Sequence, residues 1–108
     1  MAQEIKLMAD YQCWPLWWSG RHEPGNIDPH TLPISPETLT RLLSWSATFN
    51  STLNLDDPAA SGWDSQQALE EFDRDGMELW GQLQQELTVL YRVTYYSTIQ
   101  SKVLFPDG

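Results

Sequence analysis

A chain of 108 residues fits one domain of ordinary size and is long enough to bury a core without disulfide staples. An apolar share of 41% with six tryptophans excludes a disordered chain, which needs low hydrophobicity and few aromatics. Fifteen acids against six bases, a formal charge of −9, exclude ordinary electrostatic binding to DNA, RNA or an anionic membrane, all of which require cationic surface.

What that charge leaves is a basic protein partner, a cation, or solubility alone. No apolar run approaches the roughly 20 residues that span a bilayer. Glu4, Lys6 and Asp10 interrupt any signal core near the N-terminus. Cys13 is the sole cysteine, so no internal disulfide forms, and a reducing cytoplasm is the expected location.

Ile5, Leu7, Ala9 and Tyr11 alternate with Lys6, Met8 and Asp10, the period of a half-buried strand. Cys13 to Trp18 is extended and aromatic, and Pro15, which donates nothing to a ladder, makes it an edge strand. Gly20 to Asp28 reads as a loop turning at Pro24-Gly25. Ser35-Pro36-Glu37 announces a helix: a serine N-cap, proline at the first position, and an early acid for the dipole. Leu39, Leu42, Leu43, Ser46, Phe49 and Leu53 form its seam, with Trp45 at the border, and it should stop near Asn54.

After a loop from Asp56 to Gly62, a second helix is expected from an Asp64 N-cap, with Gln67 in capping-box position and Trp63 stapling onto Ala68. Leu69, Phe72, Gly76, Leu79, Leu83 and Leu87 form its seam, with Trp80 beside it. Glycine costs a helix interior about 1 kcal/mol relative to alanine, so Gly76 predicts close approach of another element. Val89, Tyr91, Val93 and Tyr95 alternate in a final β-branched and aromatic strand. The order is β-β-α-α-β in a single α+β domain over residues 1–100, with 101–108 a loosely held tail. Strand 89–99 is expected to pair with strand 5–11, giving a three-stranded, mainly antiparallel sheet covered on one face by a two-helix hairpin.

No catalytic constellation is visible. His22 and His30 flank a Pro-Gly loop without zinc spacing, and no phosphate loop or nucleophile elbow occurs. Asp56-Asp57 before Pro58 lacks the alternating acids of a calcium loop and reads as a turn with side-chain-to-backbone hydrogen bonds. No metal, cofactor or enzymatic activity is expected. The competing reading, a metal-dependent or carboxylate-based enzyme, would need Asp10, Asp28, Asp56 and Asp57 to converge. A generic acidic adaptor for a basic protein is a third possibility.

What stands out is regional acidity. Asp56, Asp57, Asp64, Glu70, Glu71, Asp73, Asp75 and Glu78 are countered only by Arg74. On the second helix Glu70, Glu71, Asp75 and Glu78 point away from the apolar seam, with Asp73 toward its flank. Glu71/Asp75 and Glu70/Asp73 are like-charge neighbours, which cost a helix a few tenths of a kcal/mol. A face that tolerates this repulsion is a candidate docking site for a basic surface. Trp17 and Trp18 must face opposite ways on a regular strand, so one of them is a candidate interface anchor.

Several segments resemble a known family: Ala9-Asp10-Tyr11 with Cys13 and Pro15-Leu16-Trp17; Gly25-Asn26-Ile27-Asp28-Pro29; Leu32-Pro33 with Ser35; Thr52-Leu53-Asn54 with Asp56-Asp57-Pro58-Ala59 and Ser61-Gly62; and Leu79-Trp80. They look like small acidic bacterial proteins similar to the immunity proteins of contact-dependent growth inhibition and related polymorphic toxin systems. The resemblance implies a protein that binds a toxin domain, often a basic nuclease, and occludes it inside the producing cell. It implies no catalytic motif, and the segment after Tyr96 lies beyond it.

Overall fold

In the computed structural model, which describes residues 3–19, 25–52, 62–63, 65–88 and 90–106, the alternating N-terminal segment forms strand β1 (Gln3–Leu7) and the aromatic one β2 (Leu16–Ser19). A 3-10 turn at Pro29–Thr31 leads to helix α1 (Pro36–Asn50). Helix α2 (Gln66–Leu87), β3 (Tyr91–Ser97) and β4 (Lys102–Leu104) follow. The sheet therefore has four strands, in the order β2-β1-β3-β4, where three were expected. The fourth comes from the segment read as a loosely held tail: Lys102 pairs with Ser97 and Leu104 with Tyr95.

β1 does pair with β3, but in parallel, with Ile5 opposite Val93 and Leu7 opposite Tyr95. A parallel pair needs a long crossover, and β2 with both helices supplies it. The β1–β2 and β3–β4 pairs are antiparallel, so the sheet is mixed at its centre.

One sheet face and the two helices enclose the core. Ile5, Leu7, Leu16, Val93 and Tyr95 meet Leu42 and Trp45 of α1 and Phe72, Leu79, Leu83 and Leu87 of α2. Helix α1 starts as expected, with the Ser35 hydroxyl accepting from the Thr38 amide, but its helical span ends at Asn50. Trp45 sits at the centre of its buried stripe rather than the border. The Trp45 indole N–H donates to the Phe72 carbonyl (2.9 Å), and the two rings stack at 4.5 Å and 6°. Ser65 caps α2 through the Ala68 amide; Asp64 lies outside the described residues. Trp63 packs on Phe72 at 4.8 Å. The two helices touch along their length, and most of their connection lies outside the described residues. None of the described helices is long and apolar enough to cross a membrane.

Strand edges carry unpaired amides and carbonyls that invite foreign strands, and two of these edges are closed internally. Residues 25–27 cover β2, where the Trp18 amide donates to the Gly25 carbonyl and the Ile27 amide to the Leu16 carbonyl. β4 reaches only the far half of β3, and α2 covers the rest. The Gln84 amide accepts from Val93 N–H (2.8 Å) and donates to the Tyr91 carbonyl (3.1 Å), while the Trp80 indole N–H donates to the Val93 carbonyl (2.7 Å).

Candidate functional site

A helix turns 100° per residue, so acids at 71, 75 and 78 share the flank of α2 that adjoins α1. Glu70 projects further round toward solvent. All four are exposed. Arg74 is exposed among them and makes no ion pair among the described residues. Glu78 reaches across to Arg41 of α1 at 3.7 Å, both side chains being at least half exposed, so this bridge has little energetic weight.

Asp73 has a different place. It is buried, and its carboxylate accepts from the Tyr95 hydroxyl (2.7 Å) and from the Ser97 hydroxyl (3.2 Å). Burial, and then the hydrogen bond to Asp73 and its charge, push the Tyr95 phenol above its usual range, so the hydroxyl remains the donor. Asp73 belongs to the core, not to the outward acidic face. Asp56 and Asp57 lie outside the described residues.

Trp17 and Trp18 do face opposite ways, as the β1–β2 register requires, and both are half-buried. The Trp17 indole N–H is spent on the Met8 carbonyl (2.9 Å). Trp18 lies against Gly25 and 6.1 Å from the Tyr91 ring. Trp14 is the more open, at 39% exposure, with its ring in a T-shaped contact with His30, centroids 5.7 Å apart.

Of the carboxylates invoked for an enzyme, the two that are described, Asp10 and Asp28, are engaged locally. Asp28 caps the 3-10 turn through the His30 amide and ring; the backbone hydrogen bond, followed by the ring contact, lowers its pKa. Asp10 accepts from the Tyr11 amide. Among the described residues no group of three His, Cys, Asp or Glu side chains could hold a metal ion; His22 lies outside them.

Two features escaped sequence reasoning. Glu86 of α2 accepts from the Ser35 amide, the Thr38 hydroxyl and the Gln82 amide, tying α2 to the start of α1. Desolvation alone would raise the Glu86 pKa, but the hydrogen bonds together outweigh it and lower the value. The second feature is a groove of about 360 Å³ between the helices, walled by Thr40, Arg41, Ser44 and Thr48 on α1 and by Phe72, Asp75 and Leu79 on α2, with Trp45 below. Its only signal in the sequence was the hydroxyl stripe at 40, 44 and 48 beside Trp45.

With this geometry in view, a family model described as Serratia CdiI immunity protein-like matches residues 3–98. The chain belongs to that family. No curated protein matches the sequence. Both helices and strands β1 to β3 fall inside the family's span, and β4 lies beyond it. Membership in the Serratia CdiI immunity protein-like family gives the chain a general immunity role and bears out the resemblance read from its segments.

Proposed function

We propose that this protein is the cytoplasmic immunity partner of a toxin of contact-dependent growth inhibition, and that it acts by stoichiometric binding without chemistry of its own. The family match over residues 3–98 carries this reading. The toxin domain is basic and docks on the outward face of α2, where Glu70, Glu71, Asp75 and Glu78 stand exposed; Asp56 and Asp57 extend the same acidic stretch in sequence. Electrostatic steering speeds the encounter by roughly 10–10³-fold and fades with salt. A half-buried tryptophan, Trp17 or Trp18, contributes an apolar contact.

The test uses the cognate toxin domain, sought in the neighbouring gene, in a catalytically disabled form, and surface plasmon resonance at low and high salt. The wild-type protein should bind it with a salt-dependent association rate. The triple variant Glu70→Lys, Glu71→Lys, Asp75→Lys should associate at least about tenfold more slowly at low salt. Absence of wild-type binding would sink the immunity reading; an unchanged on-rate in the variant would remove the acidic face from it.

A further inference from the structure

We infer that the groove between α1 and α2 is a receptor for one long cationic side chain of the partner, and so a specificity-determining slot beside the steering face. This rests on the immunity reading for the partner's identity, but the slot is argued from its own chemistry. The floor is apolar: Trp45, Phe72 and Leu79 close it from below, and the Trp45 indole N–H is already committed to the Phe72 carbonyl. An aliphatic stem can lie on such a surface while its charged end stays at the rim.

Around the groove carboxylates outnumber bases, although the lining itself holds one of each, Asp75 and Arg41. Asp75 lines the groove, with Glu71 one turn before it and Glu78 one turn after. Arg41 is the one base lining it among the described residues, and its guanidinium lies 3.7 Å from Glu78. Asp75 is exposed and makes no ion pair among the described residues. The Thr40 and Thr48 hydroxyls are turned back onto the Pro36 and Ser44 carbonyls, so their donor hydrogens are already committed. An acidic side chain would meet Asp75 in the groove and Glu71 and Glu78 on the adjoining flank, and a neutral apolar one would cover Asp75 without offering it a partner, which is costly. An aliphatic chain ending in a guanidinium or ammonium fits both parts, and a guanidinium adds the bidentate geometry that suits a carboxylate.

Two measurements test this. The first needs no toxin: ¹⁵N NMR titrations of the full chain with the amides of N-acetyl-arginine, N-acetyl-lysine and N-acetyl-norleucine. Shifts at the Trp45 indole N–H, Phe72 and Asp75 are expected with the cationic probes, weaker with norleucine and lost in Asp75→Asn. Equal shifts with norleucine, or cation-induced shifts spread over α2 without focus on the groove, would overturn the slot. The second compares dissociation rates from the disabled toxin domain. Ser44→Phe fills the groove from an exposed position without changing charge, so it should raise the off-rate about 30-fold or more, the loss typical of an interface anchor. Its on-rate should stay near wild type. Tight wild-type binding with an unchanged off-rate in Ser44→Phe rejects the slot and leaves the immunity reading standing; no wild-type binding rejects that reading, while the probe titrations still decide on the slot.

Discussion

Gly76 shows how one residue couples helix to sheet. A Cβ placed there would lie 2.3 Å from the Tyr95 hydroxyl oxygen and 2.9 Å from a ring carbon of Trp45. The close approach expected from a glycine inside a helical seam is thus present, and the sequence made it legible because the alternative was an uncompensated loss of helix propensity. The identity of the approaching group was not legible, since it comes from a strand 19 positions away and from the other helix. Gly76→Ala should destabilise the fold by about 1–3 kcal/mol despite the better helix former, read from the urea midpoint. Tyr95→Phe removes the nearest clashing atom but leaves the buried Asp73 with fewer donors, costing about 1–3 kcal/mol. The two substitutions share that atom, so Gly76→Ala should cost less in the Tyr95→Phe background than in wild type, and a double-mutant cycle measures the difference. Asp73 itself was misplaced by sequence because a carboxylate among other acids looks like surface. Its partners, Tyr95 and Ser97, are distant in the chain.

At the level of elements, the Ser35 start of α1 was readable and that of α2 only to within a residue, since Ser65 rather than the expected Asp64 is its cap. The long-range supports were not readable. Ser35 announces α1 by a local rule, whereas Glu86 meets Ser35 and Thr38 from about 50 residues away. The depressed Glu86 pKa fixes the sign of its pH dependence. Stabilisation by this carboxylate is fully present above its unfolded value near 4.5 and is lost as pH falls through the lower folded value. Glu86→Gln should therefore cost on the order of 1 kcal/mol at neutral pH, as a lost helix cap does. The gap between variant and wild type should close toward pH 3, as followed by chemical denaturation. Gln84 illustrates the same point on the sheet. Helical periodicity shows that it lies off the seam, but nothing in the pattern says that its amide completes the β3 edge. In Gln84→Ala the Val93 amide should exchange with deuterium markedly faster, with a lesser effect on Ile5 in β1.

For the whole molecule, the α+β class and the β1–β3 neighbourhood followed from period and order, but strand direction and the fourth strand did not. Alternation defines a strand's faces, not the sense in which it runs, and β4 is only three residues long, too short to show a period. The surplus of nine negative charges has a consequence for the intact protein as well as for docking. Like charges along α2 repel, so Glu71→Lys should leave thermal stability unchanged or raise it by a few tenths of a kcal/mol, while weakening toxin association. Opposite signs for the two effects, seen by calorimetry and binding kinetics on one variant, would mark the acids as kept for recognition. The parallel β1–β3 pair also has a consequence in time. Glu4 meets Arg92 across 88 residues, and ribosomes add roughly 5–20 residues per second. During synthesis the β3-facing edge of β1 therefore stays open for about 4–18 s before its partner strand is made, while the other edge can already pair with β2. A cell that depends on this protein for self-protection is shielded by chains already completed, so its safety rests on the standing pool and that pool's resistance to degradation more than on the speed of new synthesis.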